Sequence, residues 1–300
     1  MTALTDFLAT ELQRPVLPEV AQAGRLIAER LGGSAALFYG SVLRTGDLDG
    51  LLDFYVLREG RSRTAIGRLL WPDVSYHEVS VGGQVIRAKV AAMPLDTFAR
   101  AAQGDTIDTT IWARFVQPAA LVWSQDADFS RRTIDAVAEA AMTASRFAAL
   151  HGPAAGDALD FWRALFRATY AAELRVEAPG REDQILGYDR ARYRTLLTLA
   201  WRAAGVAFDQ HGDTLSAHLP EPRIAALAGA WLRLERAGKR LNLARLMKAA
   251  FTFDGATRYA AWKIERHTGL QVLVTPFRER HPIMAAPGVL WQLWRHTALR

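Results

Sequence analysis

Short apolar runs with β character alternate with helical patterns over roughly the first 130 residues of this chain. The predicted strands are Ala36–Tyr39, Leu51–Leu57, Val74–Val79 and Gln84–Ala92. Between the last two lies Gly82-Gly83, a pair typical of a two-residue hairpin turn. Apolar spacing also predicts helices at Pro18–Leu31, Arg61–Leu70 and Pro94–Ala102. Strands interleaved with helices indicate a small mixed sheet covered by helices.

From about Arg131 the pattern changes, and alanine-rich helical segments dominate. The predicted helices are Thr133–Leu150, Asp157–Val176, Asp189–Ala204, Arg223–Ala237 and Leu241–Ala250. The chain is therefore predicted to have an α+β fold, with a mixed domain over residues 1–130 and a mostly helical domain over 131–270. A C-terminal segment, 271–300, follows.

The last segment combines aromatic, aliphatic and basic side chains at helical spacing. Helical geometry places Val289, Leu290, Leu293 and Trp294 on one side, with Trp291 near the edge and Arg295 following. This arrangement suits a helix lying in a lipid interface, and equally a last helix docked on the protein's own core. No 18-residue window is uncharged and apolar, and the N-terminus shows no signal-peptide pattern, so we expect neither a spanning helix nor a signal peptide.

The amino-acid composition limits the kinds of partner and of metal site that this chain can have. The chain has 37 basic and 31 acidic residues, a net charge of +6, and nearly all of its basic residues are arginine. Such a balance indicates polyanionic partners, namely nucleotide phosphates, nucleic acid or anionic lipid. The absence of cysteine excludes disulfides and thiolate zinc sites, and the seven histidines show no zinc-binding spacing. P-loop and nucleophile-elbow motifs are also absent.

The strongest chemical signal is Gly40-Ser41 after the first strand, followed by Asp53 on the second. Nucleotidyltransferases build their sites in this way. The glycine lets the backbone approach a triphosphate, the serine adds a small donor, and the carboxylate holds Mg²⁺. The alternative is an ordinary hairpin whose aspartate ends a strand. Position 55 is a tyrosine, so a second acid must come from elsewhere.

Glu173 is the best candidate for that second acid, because the alanines before it would let a metal or substrate approach closely. The residues around Glu173, taken alone, favour an exposed helix acid paired with a nearby arginine. Arg87 and Lys89 alternate with apolar residues, so both are predicted to point away from the core, where they could bind phosphate or simply face water. Arg114, which follows Trp112, is a further candidate cation.

Six segments, in order along the chain, support a more specific interpretation. They are Tyr39-Gly40-Ser41 with Leu52-Asp53-Phe54, Pro72–Tyr76, Lys89–Ala92, Ile111–Pro118, Tyr170–Arg175 and Lys248–Lys263. Together they resemble the mitochondrial-type phosphatidate cytidylyltransferase family, the peripheral CDP-diacylglycerol synthases also known as translocator assembly and maintenance proteins. The chain departs from the family pattern at three positions: Glu173 replaces an aspartate, Gln117 a lysine and Ala91 a glycine.

The resemblance implies a nucleotidyltransferase-like domain with the helical domain completing an active cleft. The implied reaction is CTP plus phosphatidic acid giving CDP-diacylglycerol and pyrophosphate, with Mg²⁺, at the cytoplasmic face of the inner membrane. It implies Tyr39, Gly40 and Ser41 at the nucleotide, and Asp53 with Glu173 at the metal. Cations would neutralise phosphate charge at Lys89, Arg114 and Arg175.

The resemblance also implies a lipid-phosphate or membrane role for Lys248, Arg258, Lys263, Trp291, Trp294 and Arg295. Nucleic acid is not expected as a partner. Two alternatives remain open from the sequence. One is a nucleotidyltransferase with a non-lipid acceptor, and the other is a non-catalytic basic module that binds nucleic acid or lipid.

Overall fold

The structure, a computed structural model, describes residues 2–46, 50–60, 70–173, 180–268, 270, 272–280, 288 and 291. Its first part contains α1 (Ala3–Leu12), α2 (Pro18–Arg30), β1 (Ala35–Tyr39), α3 (Ser41–Thr45), β2 (Leu52–Arg58), β3 (Asp73–Val81), β4 (Gln84–Pro94), α4 (Leu95–Ala102), α5 (Thr110–Phe115) and β5 (Ala119–Ser124). All four predicted strands are confirmed. Of the predicted helix Arg61–Leu70, residues 61–69 lie outside the described part of the chain.

Five strands form one mixed sheet in the order β3-β4-β2-β1-β5. Strand β1 is antiparallel to β2 and β5, β3 is antiparallel to β4, and β2 and β4 run parallel. The β3–β4 turn has positive φ at both Gly82 (57°) and Gly83 (82°), as the tight hairpin turns that match strand twist require. Helix α2 packs on one face of the sheet, and α1, α4, α5 and α6 pack on the other.

The second part is mostly helical. It contains α6 (Ala127–His151), β6 (Gly156–Asp157), α7 (Ala158–Glu173), α8 (Arg181–Tyr188), α9 (Arg190–Ala203), β7 (Ala207–His211), β8 (Thr214–His218), α10 (Glu221–Thr252), α11 (Ala256–Thr268) and α12 (Pro276–Arg280). A small antiparallel sheet, β6-β8-β7, was not predicted from the sequence. Strand β7 is almost fully exposed, so its residues carry no hydrophobic periodicity to reveal it.

One prediction in this part is wrong. Arg223–Ala237 and Leu241–Ala250 are not two helices but parts of the single helix α10. The glycine between them, Gly238, serves packing: a Cβ built there would lie 3.1 Å from the carbonyl oxygen of Ala172 on α7. Glycine thus lets the two helices approach closely without ending α10, at a cost of roughly 1 kcal/mol of helix propensity.

The hydrophobic core continues from the sheet into the helical part. One cluster of buried residues runs from Leu4 on α1 through Tyr55 on β2 to Trp162 on α7 and Trp231 on α10. Residue 130, the predicted domain boundary, lies in the first turn of α6. The chain is therefore a mixed α+β protein with a shared core, and the division at 130 stays a prediction.

The turn between α10 and α11 is attached to β3, the edge strand of the sheet. The Tyr76 amide donates to the carbonyl oxygen of Asp254 at 2.8 Å. A Cβ at Gly255 would lie 2.7 Å from the Tyr76 carbonyl oxygen, so only glycine fits there. The Tyr76 and Tyr259 rings pack with centroids 5.8 Å apart. These contacts hold α11 against the edge of the sheet that β3 forms.

None of the helices in the described ranges combines the length and the apolar character that crossing a membrane requires.

Candidate functional site

Four polar or aromatic side chains form a row across one face of the main sheet. Tyr39 on β1 is the register partner of Asp53 on β2, Asp53 is the partner of Lys89 on β4, and Lys89 is the partner of Tyr76 on β3. Register partners point to the same face of a sheet, so the four side chains are neighbours. The row crosses the sheet at the end of β1, where the chain leaves the core.

Gly40 follows β1 directly and lies against the carboxylate of Asp53. Its backbone angles, φ 97° and ψ −162°, belong to a region that essentially only glycine adopts. A Cβ built at this position would lie 2.8 Å from Oδ2 of Asp53. The backbone at Gly40 and the aspartate carboxylate therefore form one surface. Ser41, an exposed residue, begins α3 beside them.

Arg114 on α5 brings a guanidinium to the same place. Its Nη1 donates to the Tyr39 hydroxyl oxygen at 2.8 Å, and its guanidinium lies 5.0 Å from the centroid of the Tyr39 ring and 5.8 Å from that of Tyr55. Burial raises the pKa of the Tyr39 hydroxyl; Arg114 opposes this rise and the Asp53 charge adds to it. Tyr39 therefore stays protonated and, while accepting from Arg114, keeps a proton to donate.

These groups line a cavity of about 290 Å³, near the lower end of the range for ligand sites. Its wall on the sheet side consists of Tyr39, Gly40, Ser41, Asp53, Arg114, Gln117 and Pro118. The opposite wall comes from the helical part, with Tyr170 on α7 and Arg181 and Ile185 on α8. The Gly40-Ser41 turn thus faces the last turns of α7 across a cleft between the two parts of the chain.

The cleft brings together Tyr39, Gly40, Ser41, Asp53 and Arg114 from the predicted set, with Lys89 beside Asp53 in the row. Glu173 is the last residue of α7, one turn beyond Tyr170, and its side chain lies outside the described part of the structure. Arg175 lies outside the described residues as well. The metal role of Glu173 and the phosphate role of Arg175 stay predictions.

Sequence reasoning missed Arg181 and Ile185. Arg181 opens α8, and its Nη1 donates to the side chain of Gln184 at 3.2 Å. A cation at a helix N-terminus interacts unfavourably with the helix dipole. Arginine at this position is therefore a weak sign of a role in the cleft rather than in the stability of the helix. Nothing in the sequence pattern marks Ile185, whose place in the cleft depends on the packing of α8 against α7.

The residues predicted for lipid phosphate lie elsewhere, on α10, α11 and the C-terminal segment. The Lys248 ammonium donates to the Leu70 carbonyl oxygen and to Asp73 Oδ1, both at 2.6 Å, so it fastens α10 to the start of β3. Arg258 and Lys263 are exposed on α11, and Lys263 Nζ lies 5.9 Å from the Tyr259 ring centroid.

At the C-terminus, Trp291 is 56% exposed. Trp294 and Arg295 lie outside the described residues. The predicted interfacial helix therefore stays a prediction.

Among the lining residues that the structure describes, Asp53 is the one carboxylate in this cavity. Across the described ranges, no group of three or more His, Asp or Glu side chains is arranged to hold a metal on its own. Mg²⁺ in nucleotide sites is commonly held by one or two carboxylates together with substrate phosphates and water. The donor set fits an ion that binds with a nucleotide, with Asp53 as its protein ligand.

A comparison of the chain with protein-family models and with curated proteins gives no significant match.

Proposed function

We propose that this chain is a Mg²⁺-dependent nucleotidyltransferase. The observation that carries the proposal is the contact between Gly40 and Asp53, in which a carboxylate oxygen lies only 2.8 Å from the position that a Cβ would take. A phosphate chain can follow the backbone of the Gly40-Ser41 turn, which lines the cavity, and remain beside the carboxylate. A metal ion bound there supplies charge neutralisation and polarises the phosphoryl group.

The protein groups around this contact supply the remaining requirements. Arg114 is held rigidly by Tyr39, so its charge is oriented before a ligand arrives. Arg181 approaches from the opposite wall and would bind the same phosphates from the other side. Lys89, the register partner of Asp53, lies on the side of the row away from Tyr39. Positioned cations on both sides of a carboxylate suit the transfer of a highly charged phosphoryl group.

For the substrates we propose CTP and phosphatidic acid, with CDP-diacylglycerol and pyrophosphate as products. The support is the six-segment resemblance together with exposed apolar side chains near the C-terminus, where Leu273 is 77%, Phe277 57% and Trp291 56% exposed. Exposed aromatic and aliphatic groups in a basic chain suit binding to an anionic membrane surface. The proposed location is the cytoplasmic face of the inner membrane, as a peripheral protein.

The test is an incubation with phosphatidic acid vesicles, Mg²⁺ and each of the four nucleoside triphosphates in turn. Pyrophosphate release with CTP alone, and only when the lipid is present, is the expected result. Release that does not depend on lipid would indicate a nucleotidyltransferase with another acceptor. If no nucleotide raises the melting temperature and none is turned over, the proposal is wrong, and the result favours the non-catalytic binding module.

Replacing Gly40 with alanine is expected to remove the rise in melting temperature caused by CTP and Mg²⁺. The new methyl group would collide with Asp53 Oδ2, and the strained backbone would cost roughly 1–3 kcal/mol of stability. Gly46→Ala is the matched control, because Gly46 also has a positive φ (72°) at the other end of α3 but meets no atom within 4 Å. Both variants should be less stable, yet only Gly40→Ala should lose the nucleotide response. An equal nucleotide response in the two variants would contradict the proposed phosphate turn.

A further inference from the structure

A second cavity, of about 420 Å³, lies between the β3–β4 hairpin and α11. Arg87 and Glu78 line it from the hairpin, and Arg258, Trp262 and Glu265 line it from α11. Apolar side chains of segment 272–276 close one side. The cavity therefore combines two guanidinium groups with an aromatic and aliphatic wall, outside the cleft described above.

The cavity lies on the same face of the sheet as Asp53. Arg87 precedes Lys89 by two residues on β4, so both side chains point to one face, and Lys89 is the register partner of Asp53. Two residues along a strand and one strand spacing across it separate the Cα atoms of Arg87 and Asp53 by roughly 8 Å. A ligand that reaches from Arg87 to the carboxylate would pass Lys89, the register partner of Asp53.

Arg87 is fixed in place by its neighbours on β3. Its Nε lies 3.4 Å from Oε1 of Glu78, and the same oxygen accepts the Tyr76 hydroxyl at 2.8 Å. Within the described structure this Nε is buried without a hydrogen bond of good geometry, although the side chain as a whole is 37% exposed. The guanidinium is thus oriented, while part of it still faces the cavity.

We propose that this cavity is the acceptor subsite and takes a phosphate monoester, with Arg87 and Arg258 binding the phosphate. The inference rests on the proposed nucleotidyl transfer. Guanidinium groups bind phosphate through paired N–H donors, and two of them from opposite walls suit a dianionic monoester. Glu78 and Glu265 can accept hydrogen bonds from the hydroxyl groups of a soluble monoester such as glycerol 3-phosphate, whereas phosphatidic acid has none because both are esterified; Trp262 offers an apolar face to the carbon atoms of either acceptor.

The proposed transfer needs no reactant besides the monoester and the nucleotide. An ionised oxygen of the monoester attacks the α-phosphorus of the nucleotide and forms a new P–O bond. The bond between the α-phosphorus and the bridging oxygen breaks, and pyrophosphate leaves with the electron pair. No proton has to be removed from the attacking oxygen, which is consistent with a subsite whose described lining residues include no histidine.

Two compounds could supply the phosphate monoester that binds in the cavity: phosphatidic acid, through its head group, or a soluble monoester such as glycerol 3-phosphate. Transfer should therefore be measured with phosphatidic acid vesicles and, separately, with glycerol 3-phosphate, in the wild type and in Arg87→Gln and Arg258→Gln. In both variants we expect KM for the accepted monoester to rise about tenfold to a hundredfold, as loss of a charge-assisted contact implies. The melting-temperature rise caused by CTP and Mg²⁺ should not change.

Arg266→Gln is the control, because Arg266 lies on the same helix and stacks on Trp262 at 5.4 Å without lining the cavity. Its KM should equal that of the wild type. An unchanged KM in both Arg87→Gln and Arg258→Gln would overturn the inference while leaving the proposed function intact. Arg258 is exposed, so Arg258→Gln reports on the subsite even if Arg87→Gln disturbs the hairpin.

If the wild type transfers nothing, the proposed function fails, and direct binding decides the inference separately. Calorimetric titration of glycerol 3-phosphate and of phosphatidic acid vesicles into the nucleotide-free protein should show binding of at least one of them, weakened in Arg87→Gln but not in Arg266→Gln. Absence of binding by both, or binding that is equal in the two variants, would overturn the inference.

Discussion

The Asp53→Asn variant is expected to lose nucleotidyl transfer by about a thousandfold while keeping its fold. Asparagine has nearly the same shape but no charge, so it holds a divalent cation against the phosphates of a bound nucleotide much more weakly than aspartate does. Loss of a bound metal removes several kcal/mol of transition-state stabilisation, and about 4 kcal/mol corresponds to this factor. Pyrophosphate release at saturating CTP and Mg²⁺ measures the effect.

Asp73→Asn is the matched control for this variant. Asp73 belongs to the same sheet, but it lies at the start of β3, three residues before Tyr76 of the row, and its carboxylate is 64% exposed and is paired with Lys248 at 2.6 Å. The aspartate end of this pair is exposed, and Lys248 keeps its bond to the Leu70 carbonyl oxygen, so Asp73→Asn should cost no more than roughly 1 kcal/mol and leave turnover close to wild type. Wild-type turnover in Asp53→Asn, or an equal loss in the two variants, would contradict the assignment of Asp53.

The largest stability effect is expected at Arg192 on α9, a charged residue that is only 5% exposed. Its Nε donates to Oε2 of Glu11 on α1 at 2.7 Å, and its Nη1 donates to the Val116 carbonyl oxygen at 2.9 Å. Breaking a buried pair by removing one partner costs about 3–5 kcal/mol, because the remaining charge is left without compensation. Arg14 also contacts Glu11, at 2.9 Å, so we expect Arg192→Ala to fall near the lower value. Urea unfolding measures the difference.

Arg194 on the same helix provides the comparison. It pairs with Asp157 at 2.6 Å, but its side chain is 43% exposed, so Arg194→Ala should cost no more than about 1 kcal/mol. A second check is the double variant in which Arg192→Met is combined with Glu11→Leu. Because no unpaired buried charge is left, it should recover much of the lost stability. Equal losses in Arg192→Ala and Arg194→Ala would show that burial does not set the strength of this contact.

The buried pair also explains how the N-terminus is connected to the helical part. Arg192 links α1, the turn after α5 and α9 in one set of contacts, and the turn after α5 includes Gln117 and Pro118 of the cleft wall. The sequence alone gives no reason to single out Arg192 among many arginines. Its expected contribution to stability depends on the burial of its side chain, which the hydrophobic pattern of α9 does not reveal by itself.

Local patterns were sufficient to predict much of the sheet. Strand β1, strand β2 and the Gly82-Gly83 hairpin follow from runs of apolar residues and from turn chemistry, both of which act over a few neighbouring residues. The same local reasoning identified Gly40-Ser41 and Asp53. It failed for Arg223–Ala237 and Leu241–Ala250, which form one helix with Gly238 packed closely against α7, and at β7, whose exposed residues leave no periodic signal.

The sequence by itself determined four strands of the main sheet, most helices, and the residue types proposed for one half of the cleft. Only the tertiary structure decided which of them meet. The bond from Arg114 to Tyr39 joins residues 75 positions apart, and Tyr170 and Arg181 complete the cleft from helices in the second part of the chain. It also gave Lys248 a contact with β3 and placed Arg87 in a second cavity under α11. Periodicity reports which face of an element is buried, whereas register and packing between distant elements depend on the free energy of the whole core.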